Sequence, residues 1–65
     1  CTVEEQGNGV RVTWQDKPRT EVLRNDGGWV TTPAAGTLTY DDANGSTDEG
    51  WLIRRSGVDE ICEIV

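Results

Sequence analysis

Sixty-five residues, with twelve acidic and six basic side chains, two cysteines and no histidine, make one small acidic domain. A formal charge of −6 argues against a nucleic-acid backbone or an anionic membrane surface as the partner. No stretch approaches the roughly 20 apolar residues that span a membrane.

Turn signals recur along the chain, and helical periodicity is nowhere sustained. Thr2-Val3-Glu4-Glu5 reads as a first strand, ended by the turn chemistry of Gln6-Gly7-Asn8-Gly9. Val10 to Trp14 alternates apolar and polar residues, the mark of a strand with one buried face. Gln15-Asp16-Lys17-Pro18 interrupts it, and Thr20 to Arg24 gives a third strand. Asn25-Asp26-Gly27-Gly28 predicts a tight hairpin turn. Trp29 to Thr32 returns from that turn and stops at Pro33, which cannot donate to a ladder.

Thr37 to Tyr40 alternates again as a fifth strand. The longest polar segment, Asp41 to Gly50, follows as a loop; Trp51 to Arg55 is a sixth strand, Ser56-Gly57 a turn, and Val58 to Val65 a last strand. Seven short strands and no helix predict an all-β fold, an antiparallel sandwich or small barrel. Parity places Val10, Val12, Trp14, Val22, Leu38, Tyr40, Trp51 and Ile53 in a thin core.

A chain of this length buries only about 60% of its unfolded surface, so a staple is expected. Cys1 and Cys62 permit a single intramolecular pairing. That disulfide contributes about 4 kcal/mol in the chain-entropy treatment, and it persists outside the reducing cytosol. Two free buried thiols are the alternative. A chain that begins at a cysteine reads as processed or trimmed.

The order Val-Arg-Val-Thr-Trp (10–14), Thr-Glu-Val-Leu-Arg-Asn-Asp-Gly-Gly-Trp (20–29), Gly-Thr-Leu-Thr-Tyr-Asp-Asp (36–42) and Trp-Leu-Ile-Arg-Arg (51–55) resembles the fibronectin type III superfamily. It is most similar to compact bacterial versions, common in secreted actinobacterial proteins, that begin with Cys-Thr-Val and carry a second cysteine in the last strand. The resemblance implies an immunoglobulin-like sandwich with Trp14 inward on its second strand. Members of this sandwich class have about 100 residues, so loops here must be minimal. The tyrosine that anchors the corner before their sixth strand is replaced by Trp51. In that topology the first and last strands run parallel, which brings Cys1 and Cys62 to similar heights at about 3.3 Å per residue.

For glycosidase-type chemistry the acidic pairs Asp41-Asp42 and Asp48-Glu49 are available. They sit in a glycine-rich polar loop with nothing to raise a pKa. Ser46 and Ser56 lie in turns without an activating base. No enzyme is expected. Calcium suits the same loop better, through Asp42, Asn44, Asp48 and Glu49, although the acids an EF-hand needs are replaced by Tyr40 and Trp51. A plain charged turn is the default, and no other cofactor is implied.

Trp29, with Arg24, Thr31 and Thr32 nearby, forms the expected recognition surface for a protein or polysaccharide. A tryptophan in so small a domain is more often core, and both readings stand at this point. Arg24, Arg54 and Arg55 form either a small basic face or a solvated edge. The function expected is therefore a secreted accessory or spacer module. A self-associating structural subunit is the alternative, and third is a hydrolase inhibitor presenting the 25–29 hairpin.

Overall fold

The structure, a computed structural model, describes every residue except Asp16 and Pro18. The described residues form eight strands: β1 (Thr2–Gln6), β2 (Gly9–Thr13), β3 (Thr20–Leu23), β4 (Trp29–Thr31), β5 (Thr39–Asp42), β6 (Leu52–Arg55), β7 (Val58–Ile61) and β8 (Glu63–Ile64). They build two four-stranded sheets packed together. Sheet A has the order β5-β2-β1-β8, and sheet B has the order β4-β3-β6-β7. This is the expected all-β sandwich. Of the predicted break at 15–18, Asp16 and Pro18 lie outside the described residues.

Two-residue turns close the β1–β2 and β6–β7 hairpins. At the second, Ser56 and Gly57 both have positive φ, 50° and 83°, the geometry that matches the twist of the flanking strands. Between the sheets lie Val3, Val10, Val12, Trp14, Val22, Trp51, Ile53 and Cys62, with Cys1, Val30 and Tyr40 packed against them. Six of the residues expected inside are there. Leu38 is not, being 43% exposed. It lies one residue ahead of β5, in a segment exposed from Ala34 to Thr39, so the alternation that half-buries Tyr40 does not reach it.

Two further departures reshape the second half of the chain. The polar segment after β5 is not all loop, because Thr47–Glu49 forms a 3₁₀ turn capped by Ser46. Gly45 lies so close to Val10 and Trp51 that a Cβ would fall 2.8 Å from one and 3.0 Å from the other, so this position needs glycine. The predicted last strand is divided at Cys62. The Cys62 N–H donates to the Trp51 carbonyl of sheet B at 2.9 Å, whereas the Glu63 N–H donates to Cys1 and the Val65 N–H to Val3 of sheet A. The chain thus changes sheets at one residue, and β8 pairs parallel with β1. Cys1 and Cys62 are joined there by a disulfide with their Cα atoms 4.6 Å apart. The staple holds the crossing.

Trp51 is fully buried, and its indole N–H donates to the Ser46 carbonyl five residues upstream at 2.9 Å. A buried indole needs such a partner, and the bond pins the loop to β6. Trp51 therefore does anchor this corner.

Candidate functional site

Sheet B carries apolar residues on both faces. Its inner face contributes Val22 and Ile53 to the core. The neighbouring residues, Leu23 and Leu52, must point the other way, because successive side chains alternate across a strand. Leu23 is only 5% exposed, yet it stands apart from the core cluster. It has neighbours on the outer face.

Strand register identifies them. Trp29 is opposite Leu23, Leu23 opposite Leu52, and Leu52 opposite Ile61. Directly paired residues share a face, so the four make a row across all four strands, about 14 Å long at the usual strand spacing. Trp29 is 55% and Ile61 76% exposed. A bulge sets the end of the row: Val22 pairs with Thr31 and Leu23 with Trp29, with Val30 as the extra residue on β4. Bulges re-aim side chains in this way. Here the outcome is that Val30 packs against the core while Trp29 stands opposite Leu23 on the outer face.

The turn before Trp29 is held by its backbone. Arg24 N–H donates to the Gly28 carbonyl, Gly27 N–H to the Arg24 carbonyl, and Gly28 N–H to the Asp26 carboxylate. One step along the strands lies a charged row, with Glu21 opposite Arg54 and Arg54 opposite Asp59. Arg54 donates to both Asp59 oxygens, at 2.7 and 3.3 Å, and its guanidinium lies 5.9 Å from the Trp29 ring centroid. The Arg54 hydrogen bonds hold the Asp59 carboxyl below the usual aspartate range.

The expected recognition surface is therefore revised. Trp29 lies on it and Thr32 is exposed beyond β4, but Thr31 is half-buried opposite Val22. Arg24 belongs elsewhere. Its guanidinium lies 5.4 Å from the Trp51 ring centroid and bonds Glu49 at 3.0 Å and Asp42 at 2.5 Å. The arginine at the Trp29 ring is Arg54. In sequence Arg54 reads only as part of a basic face or solvated edge with Arg24 and Arg55, and Leu23, Leu52 and Ile61 were missed, although adjacent apolar pairs in Val22-Leu23 and Leu52-Ile53 signal strands with two apolar faces.

Of the residues assigned to calcium, Asp42 and Glu49 have their carboxylates engaged, whereas Asn44 and Asp48 bond, among the described residues, only through their backbone N–H groups. Asp42 and Glu49 meet on Arg24. Asp42 also accepts from the Asn44 N–H, and Glu49 accepts from the Ser46 N–H while the Asp48 N–H donates to the Ser46 hydroxyl. Among the described residues, no group of three or more carboxylate, cysteine or histidine side chains is arranged to hold a metal ion. The acidic pairs also diverge, since Asp41 is bound by Arg11 at 2.8 and 3.0 Å. Hydrogen bonding to Arg11 lowers the Asp41 pKa, opposite to the shift a general acid needs.

No family model, curated protein or solved structure matches this chain.

Proposed function

We propose that this chain is a non-catalytic extracellular recognition module of the fibronectin type III-like class, and that it docks a protein on the outer face of sheet B. The observation that carries this reading is the row Trp29–Leu23–Leu52–Ile61 with Arg54 across its aromatic end. Tryptophan and arginine dominate the energetics of protein interfaces, and an apolar centre with a charged margin is interface anatomy. Three aliphatic residues, Leu23, Leu52 and Ile61, continue the row beyond Trp29, which favours a protein over a polysaccharide.

Other features support the class. β1, β2 and β5 share one sheet and β3, β6 and β7 the other, the division of strands A, B, E from C, F, G in immunoglobulin-type sandwiches. The Trp51 bond to Ser46 stands where the tyrosine corner has its hydroxyl bond. The Cys1–Cys62 bond is consistent with an extracellular protein, and no helix is long and apolar enough to cross a membrane.

The test is to select peptides from a displayed random library against the intact domain and measure their affinity for it by calorimetry. Trp29→Ala is expected to weaken the selected peptides about tenfold or more, the size of a hot-spot loss, with circular dichroism unchanged. Binders indifferent to Trp29 would sink the reading. A Trp29-dependent signal on a glycan array, without peptide binding, would turn it to polysaccharide.

A further inference from the structure

We infer that the partner's docking patch is an apolar ridge fringed by lysine or arginine, and that the partner is a different protein, not a second copy of this chain. This rests on the outer face of sheet B being the recognition surface, and it follows from charge. Arg54 is committed to Asp59, and Arg24 to Asp42 and Glu49. That leaves two acids by the apolar row with no ion-pair partner among the described residues. Glu21 stands beside Arg54 in the charged row, and Asp26 sits in the turn leading to Trp29. With Arg54 and Asp59 included, the charged row and this turn hold one cation against three anions.

A neutral apolar partner would draw Glu21 out of water with only Arg54 opposite it, a cation already committed to Asp59, and a desolvated carboxylate so poorly compensated is costly. A cation placed beside the partner's apolar ridge removes that cost and accelerates encounter. A second copy would instead bring its own Glu21 and Asp26 to the same face, and its charge of −6 against −6. Nothing in such a contact supplies the missing cations.

The test separates this inference from the reading beneath it. Trp29-dependent peptides from the displayed library are measured against three double variants. Glu21→Lys with Asp26→Lys reverses the charge at the face. Glu21→Gln with Asp26→Asn removes it more gently, should the reversal disturb folding. Glu4→Lys with Glu63→Lys makes the same change in net charge on sheet A. Lysine or arginine flanking the apolar residues of the peptides is expected. Reversal at the face is expected to cost about tenfold in affinity, as rim attraction becomes repulsion, and neutralisation a few-fold. The sheet A control should cost less than twofold.

Trp29-dependent peptides without cations, or equal losses at both sheets, would overturn the charge inference and leave the docking face standing. The absence of any Trp29-dependent peptide would overturn both. A dimer in sedimentation that Trp29→Ala dissolves would overturn the inference of a different partner and leave the docking face standing, since the partner would then be a second copy.

Discussion

The two sheets turn similar apolar faces toward each other and opposite faces toward water. On sheet A, paired residues form the rows Thr39, Thr13, Thr2, Glu63 and Asp41, Arg11, Glu4, polar throughout. On sheet B the corresponding row is Trp29, Leu23, Leu52, Ile61. An antiparallel sheet in a small sandwich needs only one apolar face, and sheet A obeys that rule. Sheet B has apolar residues beyond what the core requires, and in a 65-residue chain so little of which is core, that excess is what supports the proposed docking face.

The strongest challenge to this comparison is to cut the clasp between the sheets. A domain of this length has a stability of about 3–10 kcal/mol, and removing the disulfide through Cys1→Ser with Cys62→Ser should cost about 4 kcal/mol. Amide exchange should then quicken first at Glu63 and Val65, whose N–H groups bond to sheet A across the crossing. The ladder amides of Leu23 and Leu52 should hold their protection until global unfolding. Simultaneous loss at both would mean that the sheets are not separable.

A paired substitution sharpens the contrast. Leu23→Ala should cost about 2–4 kcal/mol in chemical denaturation, since it empties a buried position on the outer face. Thr13→Ala on sheet A should stay within about 0.5 kcal/mol. Equal costs would erase the difference between the faces. Trp29→Ala should lower stability by only about 1 kcal/mol, because more than half of that residue is in water, while abolishing most peptide binding.

The smallest effect is one the faces share. Each bears an exposed arginine–aspartate pair, Arg11 with Asp41 and Arg54 with Asp59, and in both the hydrogen bonds to arginine depress the carboxyl pKa. A carboxyl depressed in the folded state contributes stability that is fully present above its unfolded pKa of about 3.9 and is lost as pH falls through the lower folded value. Carboxyl carbon shifts followed through an acid titration should place both midpoints below that of free aspartate. A normal midpoint at Asp59 would mean that Arg54 is not held beside Trp29.

How legible this was differs by region. Val10, Val12 and Trp14 announced the inner face of their strand, because alternation follows directly from pleating. The two cysteines allowed one pairing, and it is the one formed. The division of the last strand at Cys62 was hidden, since residues 58–65 read as continuous β whichever sheet receives their N–H groups. The turn at Thr47–Glu49 did carry a signature, Ser46 three residues before Glu49, a capping box that acidic composition obscured. The apolar row was only half visible. Trp29 stood out as a lone aromatic, but its neighbours come from three other strands, and the register that aligns them is set by a bulge no local pattern reveals. Arg24, near Trp29 in sequence, turns instead toward Trp51 and the Asp42–Glu49 pair.

Amide and methyl chemical-shift mapping of the labelled domain with a selected peptide tests the docking face most directly. Perturbations centred on Leu23, Trp29, Leu52, Arg54 and Ile61 are predicted, with Thr2, Thr13 and Thr39 unmoved. Shifts centred on the threonine row of sheet A, with the Trp29 indole silent, would contradict the account.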